Sequence, residues 1–274
     1  MTPNPYPGKF IVFEGGEGVG KTTQVGLLVE RMKREGLPVL QTREPTKESV
    51  FGRLVRFIYE CESLYKDLPP KLAECIGDKE YRLAKEMAED AHRRHLTHFE
   101  KIAKEIRSGD HTKRPIFLQL GMTFDGHSHL VKTILPNLGR GVHVVTDRWR
   151  PSSVAYGEAA GINTKLLWDM QQEVLKEHYI APDLMIMLDV PTNLGHERTL
   201  KKQGVKKELH DEFGFMEKVR NAYHKIAQNK TVARQMNITV IDGTGAPEEV
   251  HDRIWKMARP LLEKTQMTIA PLET

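Results

Sequence analysis

The stretch Gly15-Gly16-Glu17-Gly18-Val19-Gly20-Lys21-Thr22-Thr23 satisfies GxxxxGK[ST] and constrains this chain more than any other feature. It follows the apolar run Phe10-Ile11-Val12-Phe13. After it come Leu27, Leu28, Val29 and Met32, whose spacing predicts an amphipathic helix. A strand, a glycine-rich turn and a helix in that order make a phosphate cradle. The glycines let the backbone fold tightly enough to aim its N–H groups at phosphate oxygens, and the helix start adds its positive dipole end. In such a cradle Lys21 reaches the β- and γ-phosphates and the Thr22 hydroxyl ligates Mg2+. Residues 15 to 23 are therefore the candidate nucleoside triphosphate site. The cradle alone does not name a reaction, because GTPases, motors, ATPases and small-molecule kinases all use it. Asn229-Lys230-Thr231-Val232 begins like the guanine-reading NKxD but lacks its aspartate.

Further strands are expected at Val39–Gln41, Val142–Val145, Leu184–Leu188 and Ile238–Ile241, separated by amphipathic stretches such as Val250, Ile254, Met257, Leu261 and Leu262. Short apolar strands alternating with helices predict a parallel sheet covered on both faces. Ligands then sit beyond the carboxyl ends of the strands. From about 58 to 115 the alternation stops, and a charged, helix-forming stretch predicts a helical insertion in a single α/β domain spanning 1–274.

Composition limits the partners. Lys and Arg number 41 against 37 Asp and Glu, a formal charge of +4 that is too small to argue for nucleic-acid binding. No run approaches the ~18 apolar residues of a membrane span, and Met1–Lys9 has no apolar core of a secretory signal. Cys61 and Cys75 form no metal-type pair and are read as reduced thiols. A cytoplasmic protein is the expectation.

Arginines gather near the expected strand ends. Thr42-Arg43-Glu44-Pro45 follows the second strand, Gly52-Arg53-Leu54-Val55-Arg56 comes soon after, and Asp147-Arg148-Trp149-Arg150 closes the third. Guanidinium groups are planar, permanently charged forks suited to phosphate, and a carboxylate beside the cradle can hold Mg2+ through water. Each pair alone reads as a surface ion pair. Together they favour a second phosphate-bearing ligand.

The set FIVFEGGEGVGKTTQ, TREP, GRLVR, VVTDRWRPSSVAY, APDLMIMLDV and FMEKVRNAY resembles the thymidylate kinase family of P-loop nucleoside monophosphate kinases, in the right order along most of the chain. The resemblance implies a P-loop NTPase fold, with a five-stranded parallel sheet flanked by helices and a mobile lid. It also implies phosphoryl transfer from ATP to dTMP, and often a homodimer. Carried over residue by residue, Lys21, Arg43 and Arg148 are the catalytic set, and Thr22 and Asp147 hold Mg2+. Glu17, Arg43, Glu44, Arg56, Arg148, Ser152, Tyr156 and Gln119 face the acceptor. In this scheme Tyr156 crowds the sugar 2′-position, Ser152 and Ser153 shape the same wall, and Gly243–Pro247 borders the adenine. The lid is expected at about 191–212. The cradle has no arginine, so charge over the phosphates falls to Arg198, Lys201, Lys202, Lys206 and Lys207, whose other reading is a solvated basic helix.

The departures lie where the family reads the base. Met122 stands in place of a stacking phenylalanine and Gly126 in place of an arginine, with Phe117 or Phe124 as substitute rings and Gln119 as a substitute amide. The insertion is longer than the family usually has. It carries His92, His95 and His98 on part of one helical face, read as packed or solvated rather than metal-binding. Two other functions compete with the first. One is a deoxynucleoside kinase that uses Glu44 as base on a sugar hydroxyl. The other is an inactive nucleotide-binding paralogue.

Overall fold

The computed structural model describes residues 1–49, 51–53, 55, 114–203 and 210–266. Strand β1 (Phe10–Glu14) leads through the glycine loop into helix α1 (Lys21–Arg34) and then strand β2 (Val39–Arg43). Helix α2 (Arg114–His129) continues into one wide π-type turn, Leu130–Ile134, and the short helix α3 (Leu135–Gly139). Strand β3 (His143–Asp147), helices α4 (Arg150–Ala159) and α5 (Thr164–Leu175) and strand β4 (Leu184–Asp189) follow. Helices α6 (Thr192–Gln203), α7 (His210–Gln228) and α8 (Lys230–Gln235), strand β5 (Ile238–Asp242) and helix α9 (Pro247–Gln266) complete the order.

The five strands form one sheet in the order β2-β3-β1-β4-β5, with every neighbouring pair parallel. All five expected strands are present, each one or two residues longer than its apolar run. The three inner strands are buried along nearly their whole length, which is why they read as continuous apolar runs. The edges β2 and β5 are half exposed, which weakens their signal.

Strand side chains alternate between the two faces, and here that parity places the chemistry. Ile11, Phe13, Val145, Ile186 and Leu188 pack with Leu28, Met32, Ile254 and Ala258 of α1 and α9. Phe10, Val12, Val144 and Met185 form a core on the other face with Leu130, Ile134 and Trp149. Met187 belongs to that face too, among Val154 of α4 and Val219 and Tyr223 of α7. By the same alternation Asp147 ends β3 on the α1 face, while Glu14 and Asp189 end β1 and β4 on the α4 and α7 face. On α9 the buried stripe runs through Val250, Ile254, Ala258 and Leu262, with Trp255 beside it under Arg31 at 4.1 Å. Met257, expected on that stripe, is exposed.

The chain divides into two compact units: Met1–Arg43 with Leu130–Thr274, and Glu44–His129. The whole sheet lies in the first. The expected helical insertion belongs to the second, and its residues 58–113 lie outside the described residues, as do Cys61, Cys75, Arg56 and the three spaced histidines. No helix among the described residues is long and apolar enough to cross a membrane.

Candidate active site

The cradle begins where β1 leaves the sheet centre, between the connections to β3 and β4, the crevice where open α/β sheets bind ligands. Gly20 caps α1 with φ 95°, a left-handed conformation that glycine adopts without cost. Lys21, only 6% exposed, turns its Nζ back across the loop and donates to the carbonyls of Gly15 and Gly16 at 3.0 and 2.5 Å. Burial, and then repulsion from Arg148, bring its pKa down to about 7. Thr22 and Thr23 are exposed in the first turn, Glu17 is exposed on the loop, and Val19 is buried in the core beneath it. Gly18, at φ 67°, packs backbone to backbone against α6: a Cβ there would meet the Gly195 carbonyl oxygen at 1.9 Å.

Parity brings Asp147 to α1, where the Thr22 hydroxyl donates to its Oδ2 at 2.7 Å. Asp147 Oδ1 is buried with no hydrogen-bond partner. A hydroxyl and a carboxylate side by side at the phosphate end of the loop, one oxygen uncommitted, fit a hydrated Mg2+ that takes its other ligands from phosphate and water. Among the described residues no three His, Cys, Asp or Glu side chains gather into a metal cage, and this mode needs none.

Arg148 follows β3 at φ 74°, outside the usual range for an arginine. Its backbone N–H donates to the Phe13 carbonyl at 2.8 Å. Its guanidinium donates to Ser152 Oγ at 3.1 Å, to Tyr156 OH at 3.0 Å and to Tyr223 OH at 3.5 Å, and it reaches the Gly15 carbonyl at 3.4 Å. Burial opposes its charge, but Tyr156, Tyr223, Asp147 and Glu14 outweigh that and raise its pKa well above the ordinary arginine value. Tyr156 is pushed up to about 12, chiefly by burial, so it stays a neutral phenol. Its ring meets Phe215 of α7 edge-on at 6.2 Å. The cluster therefore combines Arg148, Ser152 and Tyr156, as expected, with Glu14 and Tyr223, which were not singled out.

Arg43 ends β2, exposed, opposite Asp147 in the strand register. The chain passes into the second unit at Glu44. There Glu44 Oε1 lies 3.0 Å from His129 Nδ1, with both side chains at most 2% exposed. This ties Glu44 into the interior, and a base acting on a sugar hydroxyl needs an oxygen free to reach it. Asp125 accepts from Thr46 N at 2.7 Å, Thr46 Oγ1 at 2.6 Å and Ser49 Oγ. Burial, followed by repulsion from Glu44, raises its pKa. Gln119 and Met122 are buried, and Phe124 stacks on Phe51 at 5.3 Å, which commits that ring to packing.

In the expected lid, α6 ends with Lys201 and Lys202 exposed, whereas Lys206 and Lys207 lie outside the described residues. Arg198 donates to the Gly243 carbonyl at 3.3 Å, at the start of the segment expected beside adenine. His196 of α6 meets Phe213 of α7 at 5.8 Å, joining the two helices that flank this stretch. An open cleft adjoins the cradle, lined by Gly16 and Glu17 on one side and Asp189, Thr192, Arg220 and His224 on another. Asp189 accepts two hydrogen bonds from Arg220, at 2.8 and 3.0 Å, and lies 3.0 Å from His224 Nε2. These contacts, Arg220 first, lower its pKa. This triad is not among the residues expected from the sequence; the signals that could find it are an aspartate closing an apolar strand and an Arg-His pair one helical turn apart.

The family model described as "Thymidylate kinase" matches residues 13–67 and 80–254, breaking only inside the expected insertion. A thymidylate kinase of Afipia carboxidovorans is 31% identical over 258 residues, covering 92% of this chain and 89% of that protein. A probable thymidylate kinase of Pyrococcus abyssi is 32% identical over 247 residues, covering 90% and 94%. One of Thermococcus kodakarensis is 29% identical over 253 residues, covering 92% and 98%. With the cradle, the parallel sheet order and the match running through both, the chain belongs to the thymidylate kinase family.

Proposed function

We propose that this chain transfers the γ-phosphoryl group of ATP to dTMP, yielding ADP and dTDP. The observation that carries this reading is Arg148, a permanently charged guanidinium held by three hydroxyls within reach of the cradle backbone at Gly15. A monophosphate has a second pKa of ~6 and is mostly a dianion at neutral pH, so its oxygen is already nucleophilic. The protein's task is to hold two polyanions in line and offset their charge.

In this scheme the loop amides of residues 15–20 and Lys21 bind the donor phosphates. Thr22 and Asp147 would hold Mg2+, which would supply positive charge against the donor phosphates when bound. Arg148 orients the acceptor phosphate, with Arg43 at the end of β2 adding charge. Glu17 and Tyr156 face the sugar. Crowded together, Lys21 and Arg148 raise each other's free energy, and a polyanion between them relieves that repulsion. Arg198, Lys202 and Lys207 of the lid add charge and exclude water as it closes.

The test is a coupled ATP-consumption assay with Mg2+, comparing dTMP with thymidine and with the other deoxynucleoside monophosphates. Turnover with dTMP above all others is expected, and Lys21→Ala and Arg148→Ala each abolish it in folded protein. Preferential phosphorylation of thymidine, or normal turnover by either variant, overturns the reading. Light scattering on the purified protein tests the homodimer that goes with it.

A further inference from the structure

We propose that Glu14 is the positioning residue of the transfer site: a buried carboxylate that fixes Arg148 in its phosphate-facing orientation through Ser152, Tyr223 and the first turn of α4. The inference rests on the reading that Arg148 binds the acceptor phosphate.

Glu14 is the last residue of β1 and is completely buried. Strand parity sends it away from α1 and toward α4 and α7. One carboxylate oxygen accepts the backbone N–H groups of Trp149 at 2.7 Å and Ser152 at 3.2 Å. Amides at a helix start lack the usual partner one turn back; the Ser152 N–H is shared with the Trp149 carbonyl at 3.2 Å, and the capping residue of α4, Trp149, offers no side-chain acceptor. Glu14 thus caps α4 from another strand. The neighbouring Arg148 N–H goes to the Phe13 carbonyl. Two consecutive residues of β1 therefore pin Arg148 and Trp149, on either side of the left-handed turn that aims the guanidinium.

The second oxygen accepts from Ser152 Oγ at 2.6 Å and from Tyr223 OH at 2.9 Å, and those hydroxyls lie 2.8 Å apart. A hydroxyl has one proton and two lone pairs. With an acceptor-only carboxylate taking both protons, both hydroxyls turn lone pairs outward, and Arg148 donates to them. An amide at position 14 brings its own N–H donors into that space and breaks the orientation. Glu14 therefore acts on Arg148 twice, once through the backbone turn and once through the hydroxyls, without touching substrate.

A double-mutant cycle on the full chain tests this. Glu14→Gln, Arg148→Ala and the double variant are compared for binding affinity toward dTMP, thymidine and ATP, with kcat and the KM of dTMP and ATP read for Glu14→Gln and folding checked by circular dichroism. Each single variant is expected to lower the preference for dTMP over thymidine by about tenfold to a hundredfold, the range for a lost charge-assisted contact. The affinity for ATP in all three variants, and the KM for ATP in Glu14→Gln, are expected to stay within about twofold, as for uncoupled sites. The double variant is expected to be no worse than Arg148→Ala. Losses that multiply in the double variant, or an unchanged preference in Glu14→Gln, overturn the proposal alone. An Arg148→Ala variant that keeps its preference overturns the underlying reading and this proposal with it. If Glu14→Gln does not fold, Tyr223→Phe and Ser152→Ala each remove one link. They are expected to be non-additive with Arg148→Ala, and additive losses again refute the role of Glu14.

Discussion

Replacing Lys21 by methionine is expected to stabilise the protein while destroying its activity, and the size of the gain follows from the burial of the ammonium group. The Lys21 pKa falls from 10.5 to about 7, and at ~1.4 kcal/mol per unit this sets a ceiling of about 5 kcal/mol on the cost of keeping the charge there. Methionine loses the hydrogen bonds to the Gly15 and Gly16 carbonyls, which returns ~1–3 kcal/mol. The net gain has a ceiling of about 2–4 kcal/mol, the lower figure corresponding to ~4–8 °C in Tm for a chain of this size. The sign with pH is fixed by linkage. Between pH 7 and the ordinary lysine value the unfolded chain holds a proton that the folded chain releases, so the parent gains stability as pH rises through that window. The advantage of Lys21→Met is therefore full below pH 7 and gone above about pH 10.5. Differential scanning fluorimetry without nucleotide at pH 6.5, 8.5 and 10.5 measures it. A variant that melts no higher than the parent at pH 6.5, or a gain that persists to pH 10.5, refutes the reasoning.

Asp147→Asn is expected to raise the Mg2+ concentration needed for half-maximal turnover by about tenfold or more, read from a Mg2+ titration at fixed ATP; an unchanged requirement removes Asp147 from the metal site. Gly195→Ala places a Cβ 2.9 Å from the Glu17 carbonyl oxygen. It is expected to raise the KM for ATP while circular dichroism stays that of the parent, and unaltered nucleotide kinetics show that the loop yields freely. Asp189→Asn should lower Tm at pH 7. Hydrogen bonds from Arg220 depress the Asp189 pKa in the folded state, so this contribution is present above the unfolded value and fades as pH falls through the folded one. A melting difference that is the same at pH 3 and pH 7 contradicts it.

The fold was legible because the inner strands are buried on both faces and so appear as unbroken apolar runs. Their last residues were not, because Glu14, Asp147 and Asp189 are polar where a strand is expected to be apolar. Asp147 draws notice in the sequence only by its place beside arginines. Glu14 was missed because its partners Ser152 and Tyr223 lie 138 and 209 residues away in sequence. Only the pairing of β1 with β3 and β4, combined with side-chain alternation, brings them together. Met257 fits a helical repeat but falls just outside the arc that α9 buries. The base-reading positions showed in the sequence only as departures from a pattern, while Met122 and Phe124 are buried, with Phe124 stacked on Phe51.

The contact between Gly18 and Gly195 limits how this catalytic centre can evolve. With a carbonyl 1.9 Å from where its Cβ would stand, position 18 admits no side chain while the first turn of α6 stays where it is. A guanidinium therefore cannot be recruited at position 18 by a single substitution. Position 18 and the first turn of α6 are bound to change together or not at all.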